Sequence, residues 1–405
     1  MTANAAAEPG ARPPWPRDVT CWLAYAAIGV AYNVLGPVLP ALRPILHAGY
    51  GALAVLFVAP GMGSAAANVL GNRLLDRVGY RRLLVAAAVA YALVLLTMLG
   101  VHLLALWAGV SVVGGFAGAI IDIAGARYIA GSRGEGRGGA LNLLNVFYGV
   151  GGLVAPLAVG ALAAIHGDVI WAYGLAAAIM LAVAAFAAAA MRQGRPTSGE
   201  ATAIAGWRWA VGQPALVRLS LVIALYVGVE VAFAGWVAAY AHARDGLGVS
   251  GAAVFPLLFF AALTAGRSLA AERARRWSEA SLVGLGMALA LAGGLVSLAA
   301  PGPPALALGV VLAGIGCGPV FPTVFALAAR RAPSHQSEAY GLLFVSSGVG
   351  NLTLPWLAGQ LFARIGAWAA LGLPVACTAA MAAIFAYASA RDASPGPAAA
   401  GSPSA

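Results

Sequence analysis

The chain contains no lysine, and only 13 acidic residues and 23 arginines among its 405 positions, so 9% of it is charged. A water-soluble domain carries about 25% charged residues, so this composition excludes an ordinary soluble surface. With 62% hydrophobic residues, a bilayer must act as much of the solvent. The absence of lysine beside abundant alanine, glycine and arginine reads as the coding bias of a GC-rich genome, not as a functional signal. Cysteine is scarce too. Cys21, Cys317 and Cys377 sit in or beside apolar runs without metal or redox spacing, and read as small apolar fillers. There is no His-Glu-x-x-His pattern and no Gly-Lys-Ser/Thr phosphate loop. The five histidines, His47, His102, His166, His242 and His335, fall near the ends of apolar runs and read as interfacial. No enzyme constellation, cofactor or metal site is expected. The net charge of +10 does not point to nucleic acid, because the arginines cluster at the ends of apolar runs and form no single patch or tail.

What is present is a series of apolar runs. A spanning helix needs about 20 apolar residues, and twelve runs qualify: 19–40, 50–71, 83–100, 103–127, 140–165, 169–191, 216–240, 251–271, 280–300, 304–329, 339–362 and 367–389. The first is preceded by Arg12 and Arg17 and lacks a small-residue cleavage site, so it is expected to be a retained span, not a signal peptide. Residues 1–18 and 390–405, rich in Ala, Pro, Ser and Gly, are expected to be disordered. The segment 192–215 reads as a central linker between an N-terminal six-helix bundle, 19–191, and a C-terminal one, 216–389. With the N-terminus placed in the cytoplasm, 20 arginines lie on the inner side, leaving Arg43, Arg244 and Arg364 outside. The positive-inside rule then predicts a multi-pass protein of a bacterial inner membrane with both termini cytoplasmic.

The two halves are related. Residues 143–167 and 342–366 share 12 of 25 identities without a gap at an offset of 199, including Gly149/Gly348, Gly151/Gly350, Pro156/Pro355 and Gly160/Gly359. The same offset pairs Gly29 with Gly228 and Gly36 with Gly235. Six spans separate each pair, so the repeats are parallel. Many transporters have such repeats, with the substrate site between them near the midplane.

After the second run the chain reads Gly71-Asn-Arg-Leu-Leu-Asp76-Arg77-Val-Gly79-Tyr-Arg81-Arg82, which resembles the signature between the second and third helices of the major facilitator superfamily. Asn72 stands where that signature usually has glycine. Several other pieces resemble the sugar:proton symporter branch that includes fucose permease. They are Tyr226-Val-Gly-Val-Glu230 with Gly235-Trp236, Gly118-Ala-Ile-Ile-Asp122, Gly139-Ala-Leu-Asn142-Leu-Leu-Asn145-Val-Phe147-Tyr148-Gly149, and Gly318-Pro-Val-Phe-Pro322. The fucose permease pattern has a carboxylate near Gly36, absent here, and an amide shortly after the fourth-span acid, where this chain has Ala126 and Arg127. The resemblance implies an all-α membrane protein with two pseudo-symmetric six-helix bundles, acting as a secondary transporter. It also implies that Asp76, Arg77, Gly79, Arg81 and Arg82 gate the cytoplasmic side.

An ionisable side chain at mid-bilayer costs about 2.5–3.5 kcal/mol on insertion scales and marks a pathway by default. Glu230 in the seventh run and Asp122 in the fourth are therefore the proton-coupling candidates; a structural hydrogen bond to a neighbouring helix is the competing reading. Arg127 reads as a snorkelling end residue, and Arg267 in the eighth run as a structural pairing partner. Substrate-binding candidates are Asn33, Asn142, Asn145, Tyr148, Tyr226, Glu230, Ser347 and Asn351, since amides, hydroxyls and aromatic faces suit a sugar's polar rim and apolar face. Interhelical hydrogen bonding competes for the single Asn and Ser residues. The expectation is proton-coupled uptake of a sugar or similar small polar solute by a monomer in the lipid bilayer. The rivals are proton-driven efflux of drugs or metabolites and a non-transporting membrane sensor. The glycine pattern Gly149-Val-Gly151-Gly152 with Pro156 loosely resembles the fifth-helix signature of efflux antiporters.

Overall fold

The computed structural model describes residues 15–132, 137–165, 167–191 and 207–393. Of the ends expected to be disordered, 1–14 and 394–405 lie outside the described residues, as do most of the linker and the side chain of Asn142, while 15–18 and 390–393 are helical rather than disordered. All regular elements among those described are helical: α1 Trp15–Asn33, α2 Leu35–Ile45, α3 Tyr50–Leu53, α4 Val55–Val78, α5 Tyr80–Gly100, α6 Leu104–Ser132, α7 Arg137–Ile165, α8 Trp171–Ala190, α9 Trp207–Val211, α10 Pro214–Asp245, α11 Val249–Arg273, α12 Glu279–Ala299, α13 Pro303–Cys317, α14 Val320–Arg331, α15 Gln336–Ile365 and α16 Trp368–Ala393. Among the described residues eleven helical spans are long and apolar enough to cross a membrane, with α3–α4 and α13–α14 each counted as one, and the bent pair α1–α2 makes twelve.

Proline explains two breaks in the spans. α1 and α2 meet at a 40° bend around Val34. Pro37 has no N–H to give the Asn33 carbonyl four residues back, so the ladder lapses there. Pro319 does the same to Ile315, which separates α13 from α14. Sequence pattern alone merges each of these pairs into one run.

The two halves repeat each other's packing. α1 packs on α7 as α10 packs on α15; α4 on α6 as α11 on α13; and α5 on α8 as α12 on α16. Glycine makes the closest of these approaches possible. A Cβ on Gly29 would overlap the Tyr148 carbonyl, and one on its counterpart Gly228 would press on the Gly350 carbonyl at 2.8 Å. Small residues let helix backbones meet where lipid gives no hydrophobic drive to association.

Contacts between the halves gather at the far face, the end of the bundle opposite Trp15 and Ala393. Gly36 meets Gly235, Gly51 meets Ala363, and Gly61 meets Leu352. Gln360 Nε2 donates to the Gly51 carbonyl at 2.7 Å. Tyr50 packs its ring on Phe362 at 4.3 Å and edge-on to Trp236 at 5.9 Å, and Phe57 lies 5.5 Å from Trp236. Trp236 is anchored by its Nε1–H to the Pro355 carbonyl at 2.8 Å, and Arg43 lies over Tyr50 at 4.7 Å. Towards the terminal face two ion pairs each lie within one half. Asp76 pairs with Arg127 at 3.1 Å, and Glu279 with Arg330 at 3.0 Å. The halves thus meet at the far face through an aromatic cluster, while the expected gating residue Asp76 is bonded within its own half.

Candidate central site

Glu230 lies midway along α10, the 32-residue helix Pro214–Asp245. Its carboxylate is 3.6 Å from the Arg267 guanidinium of α11, and the two side chains are 19% and 33% exposed. Arg267 reaches it because Gly266 presses α11 against the Ile315 backbone of α13, where a Cβ would clash. Tyr226, one turn before Glu230, is fully buried, and its hydroxyl lies beside the pair without a hydrogen bond of ordinary geometry.

Tyr148 of α7 brings the second half into the same place. It lies within electrostatic reach of Glu230, Asp122 and Arg267, and beside the Asn33 amide. Asn33 donates to the Gly29 carbonyl at 2.8 Å and so caps the end of α1 at the bend. Asp122 is held on α6 by Tyr25, whose hydroxyl donates to the Asp122 carbonyl oxygen at 2.9 Å. The Asp122 side chain is exposed, also within reach of the Tyr25 hydroxyl, with Tyr32 within electrostatic reach. Among the described residues no arginine engages it: Arg127, five residues further along α6, is bonded to Asn72 and Asp76, both at 3.1 Å.

The structure thus brings Asn33, Asp122, Tyr148, Tyr226 and Glu230 into one neighbourhood where the halves approach each other. Ser347 spends its hydroxyl on the Phe344 carbonyl of its own helix, at 2.7 Å. Asn145 is exposed on α7, and Asn351 is half-buried on α15 beside the Leu352–Gly61 contact. Of the gating candidates, Asp76 holds Arg127; Arg77, Arg81 and Arg82 flank the turn at Gly79, whose φ of 84° and ψ of 162° belong to a region open essentially to glycine alone. Sequence reasoning does not select Arg267, Tyr25 or Tyr32 for binding. Arg267 carries a readable signal, as a cation inside an apolar run that needs a carboxylate on a facing helix. The tyrosines carry none, because aromatic residues are ordinary in such runs.

Residues 21–335 match the family model described as Major Facilitator Superfamily. The tetracycline resistance protein, class C, of Escherichia coli is 31% identical over 363 residues, covering 83% of this chain and 87% of that protein. Among solved structures, a bacterial homologue of the human lysosomal transporter Spinster, inward-facing and occupied, superposes with a TM-score of 0.78 at 17% identity, covering 96% of this chain and 100% of the other. The fucose:proton symporter of E. coli superposes with a TM-score of 0.63 at 16% identity, covering 93% and 99%. The likenesses to solved structures concern the fold.

Proposed function

Because this chain belongs to the Major Facilitator Superfamily and is a membrane transporter, not an enzyme, we propose that it moves a small polar solute by alternating access coupled to protons, with Glu230 as the proton-responsive group. The observation that carries this reading is the Glu230–Arg267 pair in mid-span, partly exposed and approached from the other half by Tyr148. A carboxylate there is costly unless it is paired, solvated or protonated. A switch among those conditions is what a proton-coupled carrier uses. The distribution of arginine supports a cytoplasmic terminal face, and the contact of the halves at the far face then supports an inward-facing state. A sugar or sugar-like solute suits the amide, hydroxyl and aromatic groups around the pair.

Efflux is a second reading, favoured by the 31% identity to a drug-resistance protein across most of the chain. Direction separates the two. In proteoliposomes with an imposed pH gradient, symport accumulates the solute on the side to which protons run, and antiport accumulates it on the other side. Counterflow with a panel of sugars, nucleosides and drugs identifies the solute. A failure of every panel member to exchange would count against transport of these classes.

The far-face contact is testable in the same vesicles. A Cβ on Gly51 would lie 3.0 Å from that of Ala363, close to the Cβ separation of about 3.5–4.5 Å in a disulfide. In a background without the native cysteines, Gly51→Cys with Ala363→Cys is expected to cross-link on oxidation and to arrest exchange, reversibly by reductant. Full exchange after complete cross-linking would show that the far face need not open.

A further inference from the structure

The charges of this central neighbourhood do not balance. Glu230 is matched by Arg267, while Asp122 has no cation among the described residues: Arg127 is committed to Asp76 and Asn72, and no arginine lies within its electrostatic reach. With Asp122 ionised, its carboxylate carries a charge that no guanidinium among the described residues offsets. Tyr25, Tyr32 and Tyr148 stand around the unmatched acid, and aromatic faces attract cations. This negative centre lies inside a chain whose formal charge is +10. A low-dielectric cleft lined by one sign of charge concentrates solutes of the other sign.

We infer that the transported solute bears a positive charge, as an amino sugar or hydroxylated amine does, and that Asp122 receives its ammonium group. This rests on the reading of this neighbourhood as a cleft that forms the transport site and adds the substrate's charge class to it. The division of labour follows from the pairing. Glu230, held by Arg267, responds to protons, and Asp122, free of any protein cation among the described residues, takes the solute. Neutral hexoses would leave the Asp122 charge without a counter-ion, and anions would meet it directly.

The test works whichever solute is carried. Ala126, one turn beyond Asp122 on the same face of α6, is half-buried. In full-length protein lacking the three native cysteines, Ala126→Cys is treated with two methanethiosulfonates, one carrying trimethylammonium and one sulfonate. Rates are normalised to those with a free thiol. The cationic reagent is expected to react at least about tenfold faster, because one charge at a few ångströms in a partly dry site differs for the two signs by more than the 1.4 kcal/mol that a factor of ten represents. Asp122→Asn should reduce the ratio towards one, and Asp122→Glu should keep it. Size-exclusion profiles report whether each variant is folded. Equal rates for both reagents, or a faster anion, would overturn the cationic class and leave the open cleft intact. Modification by neither reagent would instead remove the cleft, and with it the transport reading.

Discussion

Glu230→Gln is expected to abolish solute accumulation driven by a pH gradient while exchange of solute across an equilibrated membrane continues. Glutamine keeps the shape and hydrogen-bonding capacity of the side chain and loses only its charge and its titratable proton. The partner Arg267 is 33% exposed, so water reaches it when its counter-charge is removed, and the helices need not rearrange to solvate it. Tyr148 and Asn33 still line the cleft from the other half. The variant should therefore bind and exchange solute but have no group through which a proton gradient does work. If Glu230 merely hydrogen-bonds the solute in an uncoupled facilitator, the unaltered protein shows no pH-driven accumulation and exchange falls in the variant. Accumulation that persists with its pH dependence unchanged would show that another group carries the proton. Glu230→Gln combined with Arg267→Gln removes both charges and controls for an unpaired arginine.

The second large effect concerns the close helix contacts. Gly350→Ala is expected to destabilise the protein severely, because its Cβ would overlap the Ala224 carbonyl oxygen where α15 crosses α10. The clash is with backbone, so no rotamer change relieves it and the two helices must part. Overpacking of this kind costs about 1–3 kcal/mol and at times more. Gly348→Ala, two residues away, meets nothing within 4 Å and should be close to neutral. Thermal unfolding in detergent, followed by fluorescence-detected size exclusion, compares the pair. Equal stabilities for the two variants would mean that the α10–α15 contact is looser than described. The same logic extends to Gly29 and Gly151 in the other half, whose Cβ atoms would also meet backbone.

Much of this architecture is legible in sequence because a bilayer imposes length and polarity so strictly. The twelve apolar runs, and the offset pairing of Gly29 with Gly228 and Gly151 with Gly350, anticipate the spans and the repeated α1–α7 and α10–α15 contacts. The breaks at Val34 and at Gly318–Pro319 are less visible, since each half of a broken span is as apolar as an unbroken one. Glu230 and Asp122 stand out from sequence because an acid in such a run is rare. Which cation Glu230 meets is a tertiary matter, fixed by Gly266 letting α11 approach α13. Helix rotation is equally hidden. Ser347 and Asn145 lie on polar stripes by spacing, yet Ser347 bonds to its own backbone and Asn145 is exposed on α7. The motif around Asp76 leads one to expect it to face the start of α15 in an outward-open state; in the state seen here Asp76 is bonded to Arg127.

The central claim is that one cleft is reached from the two faces by turns. Two pairs of exposed positions report on it by electron–electron double resonance: Gly49 with Arg364 at the far face, and Arg73 with Ser337 at the terminal face. Spin labels are placed at each pair in protein lacking the native cysteines, and distances are recorded in lipid at pH 8 and pH 5, with and without the solute identified by counterflow. The account predicts opposed changes, with the far-face distance lengthening in the conditions where the terminal-face distance shortens. Far-face and terminal-face distances that stay fixed across all four conditions, or that lengthen together, would contradict it.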